Sequence, residues 1–161
     1  MEIIKITQAN DALAQMVALF RVELRSYKGI LSKPNREAGR EEIEEYLAAG
    51  FPVFAAVVDG EYAGYVVCRV DCEVVWVESI FVKEEFRRKG VASALHSKAE
   101  EIAAAYGEDT VYNYVHPNNH RMIAFLRKRG YTVLNLIEIR KPYAGEKTTQ
   151  IIKVGENAFD Y

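Results

Sequence analysis

Cysteine and histidine are scarce in this chain. Its 161 residues include two cysteines and three histidines. Cys68 and Cys72 have no companions at the spacing of a metal site, so we expect no metal and no disulfide framework. Both cysteines are interpreted as structural, because no base or cation lies at a fixed spacing from them. Two thiols without a recognisable signal peptide favour a reducing, cytoplasmic setting.

Long apolar runs and a strong net charge are also missing. No run approaches the roughly 20 apolar residues that cross a bilayer, which predicts no membrane partner. The formal net charge of −2 offers no global attraction to nucleic acid. The basic cluster at 87–89 lacks the wider basic face that nucleic-acid binding needs. Length and composition suit one compact domain over residues 1–161.

The sequence motifs of the two common nucleotide-binding loops are absent. There is neither a Gly-x-x-x-x-Gly-Lys-Ser/Thr loop nor a Gly-x-Gly-x-x-Gly turn. Instead, the stretch 78–92 runs from the end of a strand through three basic residues and Gly90 into a helix. A helix start attracts anions through its unpaired N–H groups, and a glycine permits an unusual turn before it. This stretch therefore predicts a site for a phosphate-bearing ligand.

Hydrophobic periodicity predicts a mixed α/β fold. The expected order is strand, two helices, three strands, helix, strand, helix and two strands. The predicted elements are strand 2–6, a helix to 27 with Asn10 as its N-cap, helix 37–49, strands 51–58, 61–70 and 74–82, helix 91–106, strand 110–115, a helix to 129, and strands 131–140 and 150–154. Asp59-Gly60 indicates a hairpin, and Gly64 indicates a bulge or close packing within its strand. The strand–helix–strand unit 74–115 makes its two strands parallel, while the preceding strands are antiparallel.

Two segments resemble the GNAT superfamily of acetyl-CoA-dependent N-acetyltransferases. Residues 87–92, Arg-Arg-Lys-Gly-Val-Ala, resemble its Arg/Gln-x-x-Gly-x-Gly/Ala signature. Residues 119–131 resemble its second signature, which begins with asparagine and ends in Gly-Phe. The resemblance implies the GNAT fold, with its two central parallel strands splayed apart. It also implies a coenzyme A site, whose residues would be Phe81, Val82, Arg87, Arg88, Lys89, Gly90, Val91, Ala92, Ser93 and Asn119.

Acetyl transfer to an amine needs a base, because an alkylammonium with a pKa of about 10.4 must first lose a proton. Glu78 is the candidate catalytic residue, since it is the only acid inside strand 74–82. Its run resembles the Leu-Glu-Asp-Phe-Phe-Val run of diamine acetyltransferases, whose glutamate is a proposed base. The alternatives are that Glu78 pairs with a neighbour such as Arg69 or faces water.

The proton donor departs from the family pattern. The family places a tyrosine seven residues after the asparagine, where this chain has Leu126. Either Tyr112, Tyr114 or His116 substitutes, or water protonates the thiolate. Packing is the favoured interpretation of the two tyrosines, and a turn that of the histidine.

The predicted function is N-acetyl transfer from acetyl-CoA to a primary amine of a small molecule or protein, by direct attack and without a metal. The alternative is a non-catalytic acyl-CoA-binding or interaction module of the same fold. The glutamates of helix 37–49 are read as a solvated face, with selection of a cationic amine as the sharper hypothesis. The acceptor pocket is expected to involve the first two helices and the loops 31–36 and 141–149. The late strands offer an edge for a homodimer.

Overall fold

The computed structural model describes all 161 residues, which fall into two compact units, Met1–Phe125 and Leu126–Tyr161. The single domain expected over 1–161 stays a prediction. The elements are β1 (Glu2–Ile6), α1 (Asp11–Ser26), α2 (Arg36–Ala48), β2 (Val53–Val58), β3 (Glu61–Asp71), β4 (Val74–Val82), α3 (Val91–Ala105), β5 (Tyr112–Asn113), α4 (His120–Lys128), β6 (Ile151–Val154) and β7 (Asn157–Asp160). No helix is long and apolar enough to cross a membrane.

The first unit contains a five-stranded sheet in the order β1-β2-β3-β4-β5. Its first four strands pair antiparallel, and β4 pairs parallel with β5. The mixed sheet and the parallel central pair are thus confirmed. The strand expected over 110–115 is much shorter than predicted, because only Tyr112 and Asn113 form ladder bonds with β4. Strand geometry needs such a partner, which local β-propensity does not supply.

Glycine and turn chemistry fix the register of the central strands. Asp59 and Gly60 both have positive φ, as the predicted two-residue hairpin requires. Gly64 lies so close to β4 that a Cβ there would stand 2.6 Å from the carbonyl oxygen of Phe81. The β2–β3 register shifts between Ala56 and Val57, beside the position where Gly64 pairs. The predicted bulge and close approach are therefore both present.

Asparagines cap α1 and α2. The side chain of Asn10 accepts a hydrogen bond from the Leu13 amide, and Asn35 does the same for Ala38. Both helices pack their apolar sides on one face of the sheet, and each fully buried large side chain contributes about 1.5–3 kcal/mol. The buried core there comprises Ile6, Leu13, Met16, Val17, Ile43, Val53, Ala55, Tyr65, Val67 and Phe81.

Helix α3 packs against the sheet through Leu95, whose side chain lies against Gly64 of β3. The neighbouring His96 is fully buried and its Nε2 lies 3.1 Å from Oδ1 of Asn113 in β5. The side-chain amide nitrogen of Asn113 also donates a hydrogen bond to the Val111 carbonyl, which fixes the orientation of the Asn113 side chain. These contacts connect α3 to the short β5, although its ladder with β4 has only two residue pairs.

In the second unit, the strand predicted over 131–140 is wrong: no regular structure lies between α4 and β6. This stretch has the β-branched and aliphatic composition of a strand, but its backbone finds no ladder partner, and Val133 is 88% exposed. The predicted last strand is present as β6. It pairs with β7, which the sequence analysis did not predict. The expected loop 141–149 is irregular apart from one turn.

Candidate active site

The turn that enters α3 has the backbone of an anion-binding loop. Gly90 is the N-cap of α3 in the left-handed conformation, with φ 82°, and it provides no side-chain cap. The preceding Arg88 also has a positive φ, of 63°. The first amides of α3 (Val91, Ala92 and Ser93) therefore lack the side-chain acceptor that closes α1 and α2. Their N–H groups point away from the start of α3, where an anion can accept hydrogen bonds from them.

The three cations of the turn have different environments. Arg87 donates from Nε to the Val82 carbonyl at 2.9 Å and from a terminal nitrogen to Glu23 of α1 at 3.1 Å. Arg88 and Lys89 are exposed, with the Lys89 ammonium 5.5 Å from the Phe86 ring centroid. Arg87 thus braces the turn, and the other two leave their charge at the surface.

Glu23 connects α1 to two segments of the site. Its carboxylate accepts hydrogen bonds from Arg87, from Arg121 of α4 and from the Tyr27 hydroxyl. The end of α1 is tied further by Asn118, whose amide donates to the Tyr27 carbonyl at 3.0 Å. The sequence analysis missed both Glu23 and Asn118. Contacts across 64 to 98 residues leave no periodic signal in a sequence.

Strands β4 and β5 separate soon after they meet. Their ladder consists of Trp76–Tyr112 and Val77–Asn113, so from Glu78 onward β4 is paired only on its β3 side. Phe81 and Val82 lie in that one-sided stretch and are both buried. This is the splay that the sequence analysis expected, and it leaves main-chain groups that an extended ligand can pair with.

Asn119 caps the start of α4. Its Oδ1 accepts a hydrogen bond from the Met122 backbone amide at 3.0 Å, and its backbone amide donates to the His116 carbonyl. The side-chain amide nitrogen of Asn119 is the part left to contact a ligand. Leu126, at the position of the family tyrosine, is buried and has no proton to donate.

Glu78 lies on β4 with its side chain 29% exposed, and its carboxylate forms an ion pair with Arg69 Nε at 3.3 Å. Pairing with Arg69 is the alternative that the sequence analysis named. The Arg69 guanidinium also stacks 5.2 Å from the Trp76 ring, which packs on Tyr112 and Tyr114. The two tyrosines therefore pack, as expected. A role of Glu78 as base remains a prediction, and it requires Arg69 to release the carboxylate.

A polar network near Glu78 was not foreseen. Arg21 of α1 forms two hydrogen bonds of 2.7 Å with the carboxylate of Glu42 in α2, and the Tyr46 hydroxyl donates to the same carboxylate at 2.9 Å. Burial is the main cause that raises the pKa of Tyr46, with the charge of Glu42 second and a smaller part from Glu78. The network therefore ties α1 to α2 through Arg21, Glu42 and Tyr46.

A cavity of about 590 Å³ lies between α1 and α2. Its lining consists of Ala18, Arg21, Leu24, Arg25, Lys28, Ile30, Lys33, Asn35, Ala38, Gly39, Glu42 and His116. This agrees with the expectation that the first two helices and the loop 31–36 between them form a pocket. The predicted contribution of the loop 141–149 concerns the second unit and stays a prediction.

Of the three remaining groups named from the sequence, Cys68 and His116 have structural environments, whereas Cys72 is exposed and its structural interpretation stays a prediction. Cys68 is buried, and burial raises the pKa of its thiol to about 12, which makes it unreactive. His116 stacks on Tyr27 with ring centroids 5.5 Å apart, and its Nδ1 accepts from the Asn118 amide at 3.2 Å. Both observations fit the structural interpretation of these residues.

The model of the acetyltransferase (GNAT) family matches residues 16–131. The chain belongs to the GNAT family. The matched range contains the turn at Gly90, the β4–β5 splay and all of α4. It also contains α1 from Met16 onward and all of α2, the two helices that border the cavity.

Several GNAT proteins are similar to this chain over part of their length. An uncharacterized N-acetyltransferase of Methanocaldococcus jannaschii is 33% identical over 87 residues, covering 48% of this chain and 38% of that protein. An N-alpha-acetyltransferase of Saccharolobus solfataricus is 27% identical over 115 residues, covering 61% and 65%. The chain thus spans between about two fifths and two thirds of the length of these curated relatives.

Solved structures share the fold at low identity. The aminoglycoside 6'-N-acetyltransferase AAC(6')-Ig of Acinetobacter haemolyticus has a TM-score of 0.65 and 19% identity, with 89% of this chain and 99% of that chain covered. AAC(6')-Iy, in complex with the bisubstrate analogue CoA-S-monomethyl-acetylneamine, has a TM-score of 0.64 and 22% identity, covering 88% and 98%. The likeness establishes the GNAT fold of this chain.

Proposed function

We propose that this GNAT protein is an enzyme that transfers an acetyl group from acetyl-CoA to a primary amine of a small molecule or protein. The observation that carries the proposal is the uncapped start of α3 at Gly90, placed directly after a strand that has lost its partner on one side. A ligand with a diphosphate at one end and an extended amide-bearing arm matches both features. Coenzyme A has that constitution.

The residues present fit such a ligand. The amides of Val91, Ala92 and Ser93 and the exposed side chains of Arg88 and Lys89 would hold the diphosphate. Gly90 supplies the left-handed turn that aims those amides, and Arg87 contributes mainly by bracing the turn. Phe81 and Val82 would pair their main chain with the arm, and Asn119 would contact it from α4.

Acetyl-CoA supplies an acetyl group activated as a thioester. Glu78 would remove a proton from the acceptor ammonium, directly or through a water molecule. The free amine attacks the carbonyl carbon, the bond from carbon to sulfur breaks, and the attacking nitrogen releases its extra proton to water as the thiolate leaves, without an intermediate bound to the protein. A main-chain N–H of the one-sided stretch of β4 would stabilise the negative oxygen. Since Leu126 cannot donate a proton, water protonates the thiolate, which a thiol pKa of about 8.5 allows.

The acceptor type is inferred from relatives and structural neighbours. Two relatives are N-alpha-acetyltransferases, and the solved neighbours include aminoglycoside acetyltransferases, so both peptide and small-molecule amines are represented. No metal is included in the proposal. We place the reaction in the cytoplasm, without nucleic acid or membrane as partner.

A homodimer is proposed to form through the second unit. Its irregular stretch exposes Val133, Leu134, Leu136 and Ile139, each by 66% or more. A strand-like sequence with exposed aliphatic side chains is a surface that a second copy can cover by strand pairing.

Two measurements test the enzymatic function and separate it from the non-catalytic alternative. Calorimetric titration with coenzyme A should show binding, and Gly90→Ala should weaken it. Release of free thiol from acetyl-CoA should then depend on an added amine, with the acetylated amine identified by mass spectrometry. Binding without amine-dependent thiol release across a broad amine panel would favour the binding module. Absence of binding would refute both.

A further inference from the structure

The cavity between α1 and α2 has an unbalanced charge. Four cationic side chains line it (Arg21, Arg25, Lys28 and Lys33), against the single carboxylate of Glu42. That carboxylate is already neutralised by both of its short bonds to Arg21. Arg25, Lys28 and Lys33 have no carboxylate within ion-pairing distance in the structure. Three uncompensated cations therefore surround one concavity in a chain whose net charge is −2.

Helix capping does not account for this cluster. Arg25 lies in the last turn of α1, where a cation interacts favourably with the helix dipole. Lys28 lies past the end of that helix, which has Tyr27 as its C-cap. Lys33 lies outside both helices, in the loop that leads to α2, yet it faces the same cavity. Convergence of cations from separate segments is typical of an anion-binding site.

The glutamates of α2 do not neutralise the cavity. Glu41, Glu44 and Glu45 are exposed and together border a separate shallow depression. This supports the interpretation of the glutamate run as a solvated face, rather than as a surface that selects a cationic amine. The charge that a ligand in the cavity would meet is positive.

His116 lines the cavity as a neutral ring and therefore does not change its charge. Burial lowers its pKa first, and the charge of Lys28 lowers it further. Its Nδ1 accepts a hydrogen bond, as a neutral ring does. The apolar side chains of Leu24 and Ile30 line the remaining wall, so the cavity also fits an uncharged spacer.

The cavity borders the polar network of Arg21, Glu42 and Tyr46. The guanidinium of Arg21, one of its lining residues, donates a hydrogen bond of 3.4 Å to the Tyr46 hydroxyl. The charge of Glu78 makes a small contribution to the raised pKa of Tyr46. We expect an acceptor to place its amine near Glu78 and its anionic group near Lys28.

We propose that the α1–α2 cavity binds an anionic group, carboxylate or phosphate, at the far end of the acceptor amine. The acceptor class is then an amine that carries its own negative charge. This assignment rests on the proposed acetyl transfer for its function. Anion binding in the cavity itself is measurable without turnover.

The binding test uses glutarate and inorganic phosphate as separate probes, with backbone amide shifts of the full chain recorded by NMR. Shifts should localise to the second half of α1, the loop 28–35 and His116, and the stronger probe identifies carboxylate or phosphate as the preferred group. Arg25→Gln combined with Lys28→Gln should weaken binding by about tenfold or more, the loss expected when charge-assisted hydrogen bonds are removed. Lys33→Gln gives an independent variant should the double variant fold poorly.

The matched control is Arg36→Gln, which removes one nearby exposed charge that does not line the cavity. Its affinity for either probe should stay within about twofold of the parent. An equal loss in this variant, shifts confined to the start of α3, or no binding of either probe would overturn the proposal.

The activity test uses acceptors of matched length: aminopentanoate, aminopentanol and diaminopentane, with aminopropyl phosphate as the phosphate arm. An anionic acceptor should have the highest kcat/KM, and the double variant should raise its KM while leaving kcat and the KM for acetyl-CoA unchanged. A rise in the KM for acetyl-CoA instead would assign the cations to the coenzyme and overturn the proposal. Anion binding with no acetylation of any amine would reject the proposed function while keeping the cavity assignment.

Discussion

Replacement of Gly39 by alanine tests how tightly α1 and α2 pack where they cross. At an exposed position inside a helix, alanine is about 1 kcal/mol more favourable than glycine. Gly39 is buried, and a Cβ there would lie well under 3.0 Å from the Ala14 carbonyl oxygen and 3.0 Å from the Ala18 amide nitrogen. An ordinary contact between carbon and oxygen is about 3.3 Å or more, so the helices would have to separate by up to about 1 Å.

The expected sign of the change is opposite to that of helix propensity. Overpacking of a core costs about 1–3 kcal/mol, and the upper part of that range applies because the obstructing atoms belong to the backbone and cannot rotate away. Subtracting the propensity gain of about 1 kcal/mol leaves a net destabilisation of about 1–2 kcal/mol. For a domain of this size the melting temperature should fall by about 2–8 °C.

Circular dichroism during thermal and urea unfolding measures this change. The control is the pair Glu41→Gly and Glu41→Ala on the exposed side of the same helix. There, the alanine variant should be the more stable by about 1 kcal/mol. If Gly39→Ala melts at or above the parent protein, the close helix crossing is not what places glycine at this position, and the reasoning fails.

Four further outcomes are expected. Gly90→Ala forces a residue with a Cβ to keep φ 82°, which costs about 1–2 kcal/mol and should weaken coenzyme A binding about tenfold in calorimetric titration. Glu78→Gln should reduce kcat about 10²–10⁴-fold in the thiol-release assay while the dissociation constant for coenzyme A stays unchanged. His116 has a pKa lowered from 6.5 by burial and then by Lys28, so the protein should lose stability as pH falls below about 6.5, and His116→Gln should flatten that slope in urea midpoints. Leu134→Asp should abolish the homodimer in light scattering without altering the unfolding midpoint of the monomer.

Matched variants and contrary results define each of these tests. For Glu78→Gln the control is Glu61→Gln, which breaks an ion pair between an exposed carboxylate and Lys83, directly after β4, and should leave turnover unchanged. Parent-like turnover of Glu78→Gln would remove the residue from the catalytic proposal. Unchanged coenzyme affinity in Gly90→Ala would show that the left-handed turn does not shape the site. An unaltered pH slope in His116→Gln would locate the titration elsewhere, and a monomeric parent protein would end the dimer proposal.

Local chemistry made much of the fold predictable. The two-residue hairpin at Asp59-Gly60, the N-cap Asn10 and the full extent of β4 follow from residues within a few positions of each other. The left-handed turn at Gly90 belongs to the same class, because its glycine and the helix behind it are contiguous. The family signatures could be read for the same reason.

The predictions that failed or fell short depend on a distant partner. The stretch 131–140 has the composition of a strand and is not one, since a strand exists only where another segment completes its hydrogen bonds. The short extent of β5 has the same cause. At the site, nothing in the sequence indicates that Glu23 binds Arg87, because the two residues come from different elements.

The sequence by itself determined the element order, the caps and turns, and the glycine-led start of α3, because short-range sterics and hydrogen bonding govern all of these. Only the tertiary structure decided which charges meet. In the fold, Arg21 pairs with Glu42, Arg87 is hydrogen-bonded within the protein, and three cations without a carboxylate partner line one cavity. Charge pairing depends on distance in space, and folding brings together residues that the sequence holds far apart.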